Sequence, residues 1–378
     1  MPESSARQTE ATVQAELVFS TGDLAQTRFA VSPLWEIVTG LRSLAADPAH
    51  TPSLHRRWAA QVRPRLTSAG LDRGRLAELV PAEGYLPDFL NPTPASPAPT
   101  LAEEVSAILA TPTEQVHRDL NGLTAGRGGR LPAGARALRR DPGAGLARLA
   151  TEIESYWQLA VAPYWARIRA LLEADIARRA RTVAAQGAGR LLDELHPALS
   201  WKDDRLTLSG RNCVISRTGT GPGLLLIPSV FAWPCVLTRA VPDAPPQLAY
   251  PADGIATLWE RPARGGNAGS AVAGVLGRTR AQLLAGLDAP ASTTELAARA
   301  GLSAPSVSEH LTALRAAGLA TAHRAGRSVL YARTPLADAL LTGPNADPGA
   351  DPGAGPAQTS RRLPKRSVTS TPPSAQPR

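Results

Sequence analysis

STTELAARAGLSAPSVSEHLTALRAAGL, residues 292–319, is the stretch whose reading decides the fold. Ser292 and Glu295 have the S-x-x-E spacing of a capping box, in which hydroxyl and carboxylate satisfy each other's free N–H groups at a helix start. A helix is therefore expected through Ala300, with Leu296, Ala297 and Ala300 on its buried side. Gly301 closes it where the backbone must turn left-handed. The turn Gly301-Leu302-Ser303 leads to the next helix, with Ser303 as N-cap and Pro305 in the first turn. Val307, Leu311 and Leu314 lie at i, i+4 and i+7 and face the core, and Gly318 ends the helix. Upstream, Leu276, Leu283, Leu284 and Leu287 give one face of an earlier helix that Pro290 stops. Downstream, Leu319–Arg324 and Val329–Arg333 read as short strands around Ala325–Ser328, and Pro335–Leu341 as a last helix.

Helix, helix, turn, helix, hairpin, helix is the order of a winged helix-turn-helix, here over residues 273–342. In that fold the third helix fills a DNA major groove and its first turns point at base edges. Ser303, Ser306, Ser308, Glu309, His310 and Thr312 occupy those turns, and each donates or accepts hydrogen bonds. Arg315 sits a turn further on, where phosphate is expected. The wing carries His323, Arg324 and Arg327, suited to phosphate or the minor groove, and Ser328 adds a neutral contact. Tyr331 is a further contact or, as strand tyrosines often are, part of the core; Arg278 and Arg280 are secondary phosphate candidates. The competing reading of this face is a polar surface on a winged helix used for protein assembly.

Charge supports nucleic acid as the partner. The 378 residues carry a formal charge of +9. Residues 273–342 hold seven arginines against Asp288, Glu295, Glu309 and Asp338, and residues 343–378 hold five basic against two acidic residues. Positive density thus rises toward the C-terminus. Only Lys202 and Lys365 are lysines, which with abundant Ala, Gly and Pro reflects a GC-rich coding sequence more than a selected function. Cys213 and Cys235 are too few for a disulfide framework. Met1–Thr12 is polar, not a signal peptide, and the longest apolar run, Gly223–Thr238, is interrupted by Pro228 and Pro234, so no membrane partner and a cytoplasmic location are expected.

Residues 1–12 read as disordered, 13–125 as a helical region, 131–263 as helical then β-rich, 264–272 as a Gly-rich linker, and 343–378 as a disordered basic tail. The fold class is mostly α with small antiparallel β elements, the winged helix following a helical or α+β regulatory region. Ser32-Pro33 opens a helix carrying Leu34, Trp35, Ile37, Val38, Leu41 and Leu44. Leu146–Leu195 is helical with a break at Pro163. Trp201–Leu208 alternates like a hairpin around Asp203-Asp204; Glu16–Ser20, Asn212–Arg217, Leu224–Ile227 and Gln247–Tyr250 read as strands. Gly126–Arg130 and Gly219–Gly223 lack the Lys and Ser/Thr of a phosphate loop and read as connections.

The quoted stretch, followed by RAGRSVLYART at 324–334, resembles the arsenical-repressor (ArsR-type) family of bacterial regulators, through Val307-Ser308-Glu309-His310-Leu311 and the L-R-x-A-G-L portion ending at Leu319. FSTGDLAQTRFAVSPLWEIV (19–38), LLLIPSVFAWPCVL (224–237) and LAYPADGIATLWE (248–260) resemble long regulators that carry this domain at the C-terminus. The resemblance implies operator DNA as partner, a homodimer, and a repressor; an effector of unstated chemistry remains open. Metal-sensing members place Cys, His or Asp ligands near the second helix, but Ser292–Ala300 has no Cys or His, so no metal and no cofactor are expected. An enzyme with a DNA-binding appendage would have to use His117, His196, Cys213 or Asp203/Asp204, and no nucleophile elbow, H-E-x-x-H or P-loop supports one.

Overall fold

A computed structural model describes residues 15–18, 24–45, 52–203, 205–209, 216–217, 223–241, 244–259, 266–325 and 328–342. Strands β1 (Ala15–Val18) and β2 (Arg28–Phe29) precede helix α1 (Pro33–Ala45). Ser32 caps α1 as expected, its Oγ accepting from Trp35 N–H at 3.1 Å. Leu34 through Gly40 are all buried, so α1 is walled on every side and not only on its apolar face.

Helices α2 (Arg56–Ser68), α3 (Arg75–Leu79), α4 (Leu101–Leu109), α5 (Thr113–Ala125), α6 (Ala133–Arg140) and α7 (Pro142–Tyr156) share one apolar core with it. The chain then makes a π turn, Trp157–Val161, and a 3-10 turn, Ala162–Tyr164, before α8 (Trp165–Gln186) and α9 (Ala188–Glu194). The break falls at Pro163, which lacks the N–H that a continuous helix needs.

Strands β3 (Leu199–Lys202) and β4 (Arg205–Leu208) form the expected hairpin, turning at Asp203 with φ 51°. β1 pairs antiparallel to β4 and parallel to β5 (Ser216–Arg217). A second sheet runs β2, β6 (Leu225–Ser229), β8 (Gln247–Pro251), β7 (Leu237–Arg239). β2, β6 and β8 are parallel, a pairing the sequence reading did not contain, and β6 and β8 are buried at every position, as strands covered on both faces are. The mostly helical class with small sheets holds. The readings of residues 1–12 and 343–378, of Cys213 and of Gly219–Pro222 lie outside the described residues.

The division at 126–130 does not appear in the packing. One apolar core runs from Val31 through Trp58, Leu120, Leu149 and Ile168 to Trp259, because α7 presents its buried face to α3 and α4 before that loop and to α6 after it. Polar ties hold this N-terminal body to its sheet. Trp35 Nε1 donates to Gln247 Oε1 at 2.8 Å, and Asp175 on α8 accepts from Tyr250 O–H at 2.8 Å and Arg179 Nε at 3.0 Å.

Two buried carboxyls give the body a pH signature. Burial pushes Glu36 up to about 8, against the pull of the Val230 N–H, and Glu104 up to about 7, against its bonds from Ser32 and Leu34. Both folded pKa values lie above the unfolded ones, so the native state holds protons that the unfolded chain releases. Their stabilisation is complete below the unfolded values and is lost as pH rises through 8. Denaturant titrations should show stability falling by on the order of a few kcal/mol between about pH 5 and about pH 9. Glu36→Gln should flatten that decline; an unchanged slope would show that Glu36 does not titrate this way.

Past α10 (Ile255–Leu258), the expected linker 264–272 is instead largely α11 (Gly266–Leu276). Its Val272 is 8% exposed, so burial outweighs the low helix propensity of its glycines. The expected first helix is split, because Gly277 takes φ 86° and starts α12 (Arg278–Gly286) at a new angle. The rest follows as β9 (Ala291–Ser292), α13 (Thr293–Ala300), α14 (Ala304–Ala316), β10 (Ala320–Ala325), β11 (Ser328–Arg333) and α15 (Pro335–Thr342).

Candidate nucleic-acid interface

Both halves of the capping box form at α13: Glu295 N–H donates to Ser292 Oγ at 3.2 Å and Ser292 N–H to Glu295 Oε2 at 2.6 Å. Gly301 takes φ 67°, and Leu302 N–H closes on Ala297 O at 3.0 Å. Ser303 Oγ then accepts from Ser306 N–H at 3.4 Å to open α14. Leu284, Leu296, Val307, Leu311, Leu314, Tyr331 and Ala337 join in one small core that fixes the three helices against the hairpin. Tyr331, 9% exposed, is therefore a core residue.

Fixing that face turns the other outward. Ser303, Ser308, Glu309, Thr312 and Arg315 are exposed on α14, with Ser306 and His310 half-buried. Two hydroxyls are already engaged: that of Ser303 in the cap, and that of Thr312, which donates to Ser308 O at 2.9 Å. Ser308 and His310 keep their side chains for an outside partner more fully than Ser303 and Thr312 do.

The wing is less open than its sequence suggests. β10 and β11 pair from Ala320↔Arg333 to Ala325↔Ser328. Ala320, Ala322 and Tyr331 lie on the face packed into the helices, while Ala325, on the other face, packs against the core of the N-terminal body. His323 shares the face of Ala325. It is half-buried, its Nε2 is 3.0 Å from Thr321 Oγ1, and burial, aided by Arg315, lowers its pKa. An expected DNA contact at His323 is thus drawn back into protein. Arg324 and Ser328 remain exposed, as do Arg278 and Arg280; Arg327 lies outside the described residues.

Sequence reasoning missed the clamp that holds this domain. From α2, Arg57 Nη2 meets Asp288 Oδ2 at 2.6 Å and Arg65 Nη2 donates to Pro290 O at 3.2 Å. From α8, Arg167 Nε lies 3.1 Å from Asp338 Oδ2, and Asp338 Oδ1 lies 3.0 Å from Arg333 Nε. The available signal was two carboxylates, Asp288 and Asp338, inside a basic domain. The two histidines weighed for catalysis sit on backbone carbonyls: His117 on Arg139 O and His196 on Pro234 O, each at 3.0 Å.

Residues 276–322 match a helix-turn-helix domain, and residues 113–256 match a family of unknown function (DUF5937). No curated protein and no solved structure matches the chain. The C-terminal unit is a helix-turn-helix DNA-binding domain. Among the described residues no helix is long and apolar enough to cross a membrane.

Proposed function

We propose that this chain is a cytoplasmic transcriptional repressor of the ArsR type that reads operator DNA as a homodimer. The division of α14 carries the reading: Val307 and Leu311 are 0% exposed and Leu314 is 1%, while Ser308, Glu309, Thr312 and Arg315 face out. A helix anchored along one side and polar along the other, at the third position of this fold, is what a major groove accepts. The V-S-x-H-L and L-R-x-A-G-L portions support the ArsR type, and the resemblance to that repressor family is what supports repression. Sequencing the genomic DNA that the purified protein retains tests this directly. A shared inverted motif upstream of genes is expected, and fragments without any common motif would refute operator reading.

The homodimer is supported by an apolar patch. Val275 is 85%, Leu336 57% and Leu340 43% exposed, on α11 and α15, which pack against each other. A second copy covering this patch would present two α14 helices to half-sites about one turn apart. Sedimentation should give a dimer, and Val275→Asp with Leu336→Asp should give a monomer with weakened DNA binding. A wild-type monomer both free and on DNA would refute the dimer.

A further inference from the structure

The loop at residues 126–130, GRGGR, is more than the connection its sequence suggests. Gly128 and Gly129 take φ 60° and 84°, and Gly129 N–H returns to Thr124 O at 2.9 Å, so the loop turns back on the last turn of α5. Gly129 thereby becomes part of the wall of a surface pocket of about 450 Å³. Thr124 and Leu131 line it too, together with Arg136, Arg139 and Arg140, all three from α6.

The pocket carries one sign of charge. No carboxylate lines it, and among the described residues none of its three arginines is in an ion pair. Two are held by neutral partners instead: Arg136 Nη1 donates to Leu131 O at 2.7 Å, and Arg139 Nη2 donates to Asn121 Oδ1. A guanidinium has five N–H donors, so most of theirs stay unspent. The Arg140 side chain has no partner among the described residues. The carboxylates at the two ends of α6 are engaged elsewhere. Glu78 Oε2 accepts from Gly134 N–H at 2.6 Å, and Asp141 Oδ1 accepts from Ala144 N–H at 3.0 Å. A second pocket on the body is different in kind: Arg178 and Arg179 line it with Asp253, and both are already paired with Asp175 and Asp253.

Three uncompensated guanidiniums around one space repel each other, and an anion in that space relieves the repulsion. A carboxylate brings two oxygens and one charge. A phosphate group brings three acceptor oxygens and up to two charges, and the guanidinium fork matches it bidentately. The volume is that of a small-molecule site. A DNA duplex presents its phosphates along a convex backbone, which a pocket of this size does not receive. We propose that the pocket binds a small phosphorylated molecule bearing at least two negative charges, as an effector.

The effector role rests on the regulator reading; the site does not. α6 packs on α7, and α7 leads directly into the π turn that packs against β10. One helix thus lies between the pocket and the wing.

Calorimetric titration of the full chain with pyrophosphate at physiological salt tests the site without DNA. Pyrophosphate should saturate at one molecule per chain with Kd below about 1 mM, and malonate, a dicarboxylate, should bind at least about tenfold more weakly. Arg136→Gln with Arg140→Gln should lower pyrophosphate affinity at least about tenfold and leave Tm unchanged, since both side chains are exposed. Arg73→Gln with Arg181→Gln removes the same charge from exposed positions elsewhere and should leave that affinity unchanged. No saturable heat with pyrophosphate, equal binding of malonate, or equal losses in the two double variants would each overturn the proposal. Without pyrophosphate, the two double variants should hold DNA equally well. A tenfold weaker hold in Arg136→Gln with Arg140→Gln would give the pocket to DNA phosphates and overturn the small-molecule assignment. Saturating pyrophosphate should change DNA affinity several-fold more in wild type than in that variant, and an equal change in both would overturn the effector role. A chain that binds pyrophosphate in this way but no DNA would keep the site and refute the regulator reading instead.

Discussion

Ser308→Glu should reduce operator affinity by more than about a hundredfold while leaving thermal stability unchanged. Ser308 is exposed on α14, one residue from Val307, which is 0% exposed. Its side chain therefore lies on the side that the core does not use. Losing a good base contact costs ~1–3 kcal/mol. A carboxylate at the same place adds repulsion from the phosphate walls of the groove. The helix itself should not suffer, because glutamate is the better helix former and sits near the N-terminal end, where the helix dipole favours negative charge. Ser308→Ala and His310→Ala should act more mildly, narrowing the gap between operator and scrambled DNA. Arg324→Ala should lower both affinities together and reduce the salt slope by about one unit. Binding isotherms at several salt concentrations separate these outcomes. Unchanged operator binding by Ser308→Glu would show that α14 is not the reading helix.

Most of the C-terminal unit was legible because its signals are local. A capping box spans three residues, a left-handed glycine one, and the apolar stripe of α14 two turns; each acts on the chain nearby and needs no distant partner. Ser292, Gly301 and Ser303 accordingly do in the fold what their order implies. The N-terminal body is different. Its sheet aligns Leu225 with Arg28 and with Gln247, strands that approach only through a long crossover. Trp35 and Gln247 are bonded across 212 residues of chain. No periodicity in α1 announces that Glu36 will be buried on every side, since an acid one turn into a helix ordinarily caps its dipole. His323 is half-buried at the wing for a related reason. A histidine on a short hairpin has one setting on a free domain and another when a second surface lies beneath it. Ala325, which the sequence marks only as the start of the turn between the wing strands, is the residue that shows the second surface.

Arg333 makes the same point with energy attached. In the sequence only the end of a strand and one of seven arginines in residues 273–342, it is 4% exposed and buried beside Asp338, with Arg167, Asp288 and Arg57 in its field. Burial lowers its pKa and Asp338 raises it, so the carboxylate offsets part of the cost of burying a guanidinium that stays charged. The 3.0 Å contact between Arg333 Nε and Asp338 Oδ1 lacks hydrogen-bond alignment, leaving Coulomb attraction as its substance. Asp338→Ala should therefore destabilise the protein by ~3–5 kcal/mol, the cost of leaving a buried charge alone. Arg167→Ala should cost about 1 kcal/mol or less, because Arg167 is 21% exposed and its removal leaves the Arg333–Asp338 pair in place. The two variants differ in what they break. The first strands a charge between hairpin and last helix, within the DNA-binding domain; the second removes only the tie to α8. Denaturant unfolding followed by tryptophan fluorescence and by far-UV dichroism resolves them. All tryptophans of the chain precede residue 260, so fluorescence reports mainly the body, with Trp157 alone in the turn that touches β10. In Asp338→Ala the dichroism midpoint should fall first and part from the fluorescence midpoint as the small domain melts on its own. In Arg167→Ala the two should stay together. Equal losses in both variants would mean that the clamp, not the buried guanidinium, holds the charge cluster.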